Sequence, residues 1–151
     1  MIMEHKKPKT IKTREGDEHF SVGALIWKNK KLLIMERKLP PKGFAGIAGH
    51  IDELETPLEA LKRELKEETN LDLISCRLVL KRKIIQKENC VFGVKKHFWY
   101  VYNVSCTGEV KPSQYEVKSI GYVSRDKIKK LYKERRLDYA WMIIFKKLDV
   151  I

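Results

Sequence analysis

A helix with clear signals at both ends is the feature that most constrains this chain. Thr56 precedes Pro57, and Glu59 lies three residues after Thr56, which is the pattern of a capping box with proline at the first helical position. We therefore predict a helix over residues 57–69. Asn70 follows its last turn, where a left-handed backbone is commonly required and asparagine is the usual substitute for glycine. We expect a φ of about +60° at Asn70.

The acidic side chains of this helix are not spread evenly around it. At about 100° per residue, Glu64, Glu67 and Glu68 share an arc of about 100° beside an apolar stripe. The stripe consists of Leu58, Leu61 and Leu65. Like charges four residues apart repel one another, and a cation between them would remove the repulsion. Hard oxygen ligands suit Mg²⁺ or Mn²⁺, although a solvated helix face is the alternative interpretation.

The residues before the helix complete a longer pattern. Gly49 lies fourteen residues before Arg63, and Glu55 lies eight residues before it. The stretch 49–71, GHIDELETPLEALKRELKEETNL, fits G-x5-E-x7-R-E-U-x-E-E-x-G-U, in which U is a bulky aliphatic residue, except at Asn70, where the pattern has glycine. This stretch strongly resembles the signature of the Nudix hydrolase family.

The segments on either side of this stretch extend the resemblance. Family members usually have an upstream hairpin that ends in an arginine after an aliphatic pair, as KLLIMER does at residues 31–37. Downstream, an acid, Glu116, precedes the strand and helix predicted from YVSRDKI. The resemblance covers residues 20–130 approximately. It implies an α+β fold, an α/β/α sandwich in which a mixed β-sheet lies between helices.

The resemblance also implies a role for each residue of the acidic ridge. Glu67 and Glu68 would be the principal ligands of a divalent metal, Mg²⁺ or Mn²⁺. Glu64 would lie beside them as a further ligand or as a catalytic base. The backbone carbonyl of Ala48, which replaces another common glycine, would complete the metal site. Arg63 would orient the carboxylates through a charge-assisted hydrogen bond.

Four further residues receive roles from the same resemblance. Glu55 and Gly49 would lie just outside the metal ligands. Glu116 would be a mobile ligand or general base, with a plain surface glutamate as the equal alternative. Arg37 would contact a substrate phosphate, with a salt-bridged strand end as its alternative.

The activity implied is hydrolysis of a nucleoside diphosphate linked to another moiety X, by attack of water on phosphorus. A proline downstream of the signature marks many ADP-ribose hydrolases, and a tyrosine marks many dinucleoside polyphosphate hydrolases. Residues 72–97 contain neither, so both substrate classes are disfavoured. The alternatives are a pyrophosphohydrolase of RNA 5′ ends and a non-catalytic Nudix-fold module that binds RNA. The intact acidic residues favour an enzyme.

Length and charge set broader limits. The 151 residues suit one domain. We predict a basic, flexible arm over residues 1–18 and a single Nudix hydrolase domain over residues 19–151. No apolar run reaches the ~20 residues of a membrane span, so we expect no membrane partner. The cysteine pattern favours a cytoplasmic protein, and the resemblance implies a nucleotide-type substrate. The net charge of +12 favours polyanions such as RNA, but thermophile surfaces are also rich in lysine and glutamate. The oligomeric state stays open, a homodimer included.

The remaining segments give a coarse secondary structure. A hairpin is predicted from two strands, 20–27 and 31–38, and residues 39–46 are predicted as a loop. Further strands are expected at 74–86, 95–106 and 119–124. Residues 124–148, with Ser124 as N-cap, are expected to form one helix or two.

Several residues that bind ligands in other proteins are expected to be structural here. The three cysteines, Cys76, Cys90 and Cys106, form no CxxC pair, so we interpret them as free thiols and not as a zinc site or a disulfide framework. His50 and His97 are expected to be structural. The candidates for base stacking are Phe44, Phe98, Trp99, Tyr115 and Trp141, most of which we expect in the core.

Overall fold

Two β-sheets form the centre of the protein, and helices cover them on both sides. The structure is a computed structural model in which residues 7–151 are described. The first sheet has five strands: β1 (Thr10–Thr13), β2 (Gly16–Leu25), β6 (Ile47–His50), β7 (Asp72–Ile85) and β8 (Lys96–Thr107). The second sheet has four: β3 (Trp27–Lys28), β4 (Lys31–Arg37), β5 (Gly43–Ala45) and β9 (Val117–Val123). The helices are α1 (Pro57–Thr69), α2 (Arg125–Lys133) and α3 (Tyr139–Lys147).

Strand β2 organises the first sheet. Along one edge it pairs in parallel with β8, with His19 opposite His97. Along its other edge it pairs antiparallel with β1 at its start and with β6 at its end, where Ser21 lies opposite His50. The sheet is therefore mixed, and it brings residues from β2, β6 and β8 to one place.

Alternating side chains of the central strands pack into two hydrophobic cores. On one side, Leu61 and Leu65 of α1 pack with Val22 of β2. On the other side, Ile128 of α2 and Trp141 of α3 pack in a core with residues of the neighbouring strands. Because helices cover both faces, the predicted α+β sandwich with a mixed sheet is confirmed.

Helix α1 has the predicted bounds and caps. The Thr56 side chain accepts a hydrogen bond from the Glu59 N–H, and the Glu59 carboxylate accepts one from the Thr56 N–H, which completes the capping box. Asn70 has a φ of 67°, and its N–H donates to the Lys66 carbonyl at 2.9 Å. The left-handed conformation predicted for Asn70 is therefore confirmed.

The predicted hairpin exists only near its tip. The strand expected at 20–27 is divided, because β2 ends at Leu25 and β3 begins at Trp27, and the two belong to different sheets. Asn29 and Lys30, both with positive φ, connect β3 to β4. The segment 39–46, predicted as a loop, contains strand β5.

The structure decides between one helix and two in the C-terminal segment and corrects the expectation for the N-terminal arm. The segment 124–148 forms two helices, and Ser124 is the N-cap of the first, as predicted. A flexible arm over residues 1–18 is wrong for β1 and the start of β2, because β1 pairs with β2 and the Lys9 N–H donates to the Ile51 carbonyl. Residues 1–6 of that predicted arm lie outside the described residues. Within residues 7–151, no helix is long and apolar enough to cross a membrane.

Candidate active site

Strand β6 and helix α1 approach each other at Gly49. A Cβ atom placed on Gly49 would lie 1.9 Å from Cδ and 2.3 Å from Oε1 of Glu64. The space that a side chain would need is therefore filled by the Glu64 carboxylate. Gly49 is required here because any side chain would collide with Glu64. Its absence of a side chain lets strand β6 pack directly against the acidic face of α1.

Arg63 lies at the centre of a network of acidic groups. It holds Glu55 with two hydrogen bonds, from Nε to Oε2 and from Nη2 to Oε1, each 2.7 Å long. Its Nη1 donates to Glu64 Oε1 at 2.6 Å, and its Nη2 donates to the His50 carbonyl at 2.9 Å. Burial disfavours the guanidinium charge, but the bonds to Glu55 and Glu64 outweigh it and raise the pKa of Arg63. The network fixes the Glu64 side chain and ties α1 to β6.

Three carboxylates converge beside this network. Oxygens of Glu64, Glu68 and Glu116 all lie within 4.8 Å of one another. Glu68 is only 2% exposed, and among the described residues its Oε2 has no hydrogen-bond partner. Burial, and then the charge of Glu64, raise the pKa of Glu68 well above its usual value, while Arg37 and a backbone hydrogen bond from Ala48 oppose the shift. A buried, unpaired carboxylate oxygen beside two other acids is the donor set that a hard divalent cation would complete, so the residues fit the metal that the resemblance implies.

The other predicted residues surround this cluster. Glu67 has a side chain 43% exposed, contacts Arg63 Nη1 at 3.3 Å and lies at the rim, outside the group of three. Arg37 donates from Nε to the Pro41 carbonyl at 2.8 Å and faces the same cavity. Glu55 is bound to Arg63 and does not belong to the group of three. The structure thus groups Glu116, from a distant part of the chain, with Glu64 and Glu68.

A cavity of about 570 Å³ opens beside the carboxylates. The acidic cluster, Arg37 and several aromatic side chains line it. Among these, Trp99 and Trp141 have rings 5.8 Å apart, and neither indole N–H has a hydrogen-bond partner among the described residues. Gln86 Oε1 is also buried in the cavity wall without a partner there. The cavity lining therefore combines carboxylates and an arginine with aromatic side chains.

Buried imidazoles lie in the same region. Burial lowers the pKa of His19, and it lowers the pKa of His97 to about 4 even though a hydrogen bond with the Lys95 carbonyl opposes the change. Burial and the neighbouring His97 and His19 lower the pKa of His50 well below its usual value. The three rings are therefore neutral at pH 7.

Comparison with known proteins identifies the family. A model of the NUDIX domain matches residues 17–142. The chain belongs to the Nudix family. It is a hydrolase that acts on pyrophosphate bonds, and Nudix hydrolases generally need a divalent metal. No curated protein sequence matched the chain.

Solved Nudix structures share the fold. The crystal structure of a MutT NUDIX hydrolase from Burkholderia pseudomallei is 21% identical with a TM-score of 0.70, covering 85% of this chain and 96% of that one. A NUDIX hydrolase from Nitrosomonas europaea is 18% identical with a TM-score of 0.69, covering 86% and 87%. The MutT protein from Methanosarcina mazei Go1 is 26% identical with a TM-score of 0.64, covering 87% and 93%.

Sequence reasoning missed the cavity wall of this Nudix domain. Gln86, Cys90 and Phe92 come from the loop between β7 and β8, and Asp138 comes from the start of α3. Their positions in the chain show no spacing pattern, because the sheet and not a single helix brings them together. Unpaired polar atoms become visible only once the packing is known.

Proposed function

We propose that this Nudix hydrolase uses Mg²⁺ or Mn²⁺ to cleave the diphosphate linkage of a nucleoside diphosphate joined to another group X. The observation that carries the proposal is the buried Glu68 Oε2, which has no hydrogen-bond partner among residues 7–151 while the Glu68 carboxylate is grouped with those of Glu64 and Glu116. The family supports the reaction class, and the three free thiols suit the reducing cytoplasm expected from the sequence.

The proposed metal ligands are Glu64, Glu67 and Glu68, together with the Ala48 carbonyl. When bound, the ion would neutralise phosphate charge and lower the pKa of a coordinated water. Glu68 is buried and held by α1, so it offers a fixed oxygen. Glu67 lies at the rim next to Arg63, where its side chain can reach the cavity that it lines.

Other residues of the site would position the carboxylates, accept a proton and bind the substrate phosphate. Arg63 holds Glu64 in one rotamer through its 2.6 Å hydrogen bond. Glu116 and Glu64 are the two acids placed to accept the proton of the attacking water, because both lie beside Glu68. Arg37 faces the same cavity and would bind a phosphate oxygen of the substrate.

The aromatic part of the cavity lining supports a nucleotide as substrate. Phe92 is exposed and lines the cavity, so its ring can pack against a base. An RNA 5′ end is the alternative substrate, supported by the net charge of +12. In that case substrate affinity would fall steeply as salt is raised, whereas a free nucleotide would show a weaker dependence.

Turnover of a substrate panel tests the proposal. The panel contains nucleoside triphosphates, ADP-ribose, dinucleoside polyphosphates and 5′-triphosphorylated RNA, each with Mg²⁺ or Mn²⁺. We expect hydrolysis of at least one, abolished by chelator. Glu67→Gln and Glu68→Gln should each reduce kcat by ~10²-fold or more, because the substituted amide is a poorer ligand for the ion.

Glu59→Gln is the matched control. It makes the same chemical change on the same helix, and glutamine can replace glutamate in a capping box. Its kcat should equal that of the wild type. Full activity in both Glu67→Gln and Glu68→Gln would contradict the metal site. An inactive wild type across the whole panel would favour a binding module.

A further inference from the structure

Four side chains with metal-binding atoms meet outside the carboxylate cluster. One ligand atom from each of His19, His50, Cys90 and His97 can be chosen so that all lie within 4.8 Å of one another. His19, His97 and Cys90 are buried, at 3%, 4% and 7% exposure. No carboxylate belongs to this group, so its chemistry differs from that of the Glu64–Glu68–Glu116 site.

The first sheet places the three imidazoles. His19 and His97 lie directly opposite each other on the parallel strands β2 and β8. His50 lies opposite Ser21, two residues further along β2, so its side chain is on the same face of the sheet. Rigid strands, rather than a loop, therefore hold all three rings.

The fourth member comes from the loop that joins β7 to β8. The Cys90 N–H donates to the Val94 carbonyl at 2.9 Å, and the Gly93 N–H donates to the Cys90 carbonyl at 2.8 Å. This tight turn directs the thiol towards the imidazoles, with Sγ 3.8 Å from His19 Nδ1. Phe92, in the same turn, lies against the rings of His19 and His50 with centroids 6.0 and 5.6 Å away.

The distances match those between ligands of a tetrahedral zinc ion. With Zn–N of about 2.05 Å and Zn–S of about 2.3 Å, two nitrogens lie about 3.3 Å apart and a nitrogen and a sulfur about 3.6 Å apart. The Nε2 atoms of His50 and His97 are 3.2 Å apart. His97 Nδ1 lies 3.3 Å from the Lys95 carbonyl, the contact that metal-bound histidines commonly make with their second nitrogen. That contact leaves the lone pair of His97 Nε2 directed into the cluster.

We propose that His19, His50, Cys90 and His97 form a second metal site, which binds one Zn²⁺ with three imidazoles and one thiolate. Softer nitrogen and sulfur ligands select zinc over Mg²⁺, so the two sites take different ions. The ion would fasten the loop between β7 and β8 to the face of the first sheet. It would do so at the wall of the cavity, which Cys90, His50 and His97 all line.

Cobalt titration of the full chain tests the proposal. Co²⁺ serves as the probe, added after removal of bound metal by a chelator and in excess Mg²⁺ to occupy the carboxylates. We expect one Co²⁺ per chain with the visible bands of tetrahedral cobalt and a sulfur-to-cobalt charge-transfer band, both abolished by Zn²⁺. Cys90→Ser should remove the charge-transfer band, and His97→Gln should weaken binding by at least ~10-fold.

Matched variants and a measurement on the wild type complete the test. Cys76→Ser and Cys106→Ser remove the other thiols and should leave the spectrum unchanged, as should Glu68→Gln. In the unmodified protein, Zn²⁺ should protect Cys90 from alkylation, as followed by mass spectrometry, so the test does not depend on a variant that folds. Cobalt binding without a sulfur band, binding lost in Glu68→Gln, or alkylation of Cys90 unaffected by Zn²⁺ would each overturn the proposal.

Discussion

At Gly49, a missing side chain decides how the acidic groups are arranged. Glu64 occupies the position that a Cβ would take, and Arg63 then holds Glu64 against strand β6. The sequence pattern predicted that a glycine and an arginine belong to the site. It did not show that Arg63 makes its closest bonds to Glu55 and Glu64 rather than to Glu67, its neighbour four residues along the helix. Spacing on a helix describes neighbours on that helix, whereas Glu55 lies before it.

Gly49→Ala should therefore impair activity strongly. The new methyl group would displace the Glu64 carboxylate, so we expect kcat to fall by ~10²-fold, as for loss of one preorganised group. Gly121→Ala is the control, because nothing lies within 4 Å of a Cβ at Gly121. Steady-state kinetics of both variants check this, and near wild-type activity in Gly49→Ala would contradict the packing described.

Among the elements, helix α1 was the most predictable and the β-hairpin the least. The start and end of α1 depend on local groups, namely Thr56, Glu59 and Asn70, and all three act as expected. The break between β2 and β3 depends on two sheets diverging, and the interval between α2 and α3 depends on how each packs against the sheet. Neither event has a signal in the neighbouring residues alone, so the sequence predicts a single strand at 20–27 and leaves open whether 124–148 is one helix or two.

Substitutions at Asn70 measure the contribution of the helix end. Asn70→Gly should leave the free energy of unfolding within ~0.5 kcal/mol of wild type, because glycine adopts a φ of 67° without strain. Asn70→Ala should lower the free energy of unfolding by about 1 kcal/mol, because the Cβ of alanine is too close to the following carbonyl oxygen in the left-handed conformation. Urea denaturation checks both values. Equal stability of the two variants would show that the backbone of residue 70 is not the controlling factor.

For the whole molecule, the sequence predicted the sandwich and the acidic site but not the cavity. The family pattern extends through α1 and places its carboxylates, so Glu64 and Glu68 could be named in advance. The wall formed by Gln86, Cys90 and Phe92 could not, because tertiary packing alone brings these residues together. The grouping of candidate metal ligands on two sides of β6 is likewise a property of the assembled sheets.

The acidic site should reduce the stability of the metal-free protein. Because the folded pKa of Glu68 is raised, stability is lost as the pH rises through that pKa. At pH 8 without metal, Glu68→Gln should therefore increase the free energy of unfolding by about 1 kcal/mol or more, since it replaces the buried carboxyl, whose ionisation favours the unfolded state, with a group that does not ionise. Mg²⁺ should stabilise the wild type but not the variant. Urea denaturation with chelator or Mg²⁺ measures this, and a metal-free variant less stable than wild type would contradict it.

The buried imidazoles give an opposite dependence on pH. The pKa of His97 is about 4 in the folded protein against an ordinary 6.5, so the unfolded chain binds the extra proton between these values and stability falls as the pH falls. His19, His50 and Arg37 face the same region, so a variant is needed to isolate His97. In chelator, the free energy of unfolding of the wild type should fall by about 2 kcal/mol more than that of His97→Gln between pH 7.5 and pH 5. Parallel losses in urea denaturation would refute this contribution.

Strand β6, which has four residues (Ile47–His50), lies between the carboxylates of α1 and the imidazole cluster. Its side chains alternate, so Gly49 faces the carboxylates of α1 while His50 reaches the imidazoles of the neighbouring strands. A slip of one residue in its pairing with β2 would turn a side chain into Glu64 and move His50 to the opposite face. An inserted or deleted residue between β5 and β6 that shifts this register should therefore abolish both sites together, while the sheet itself could still form.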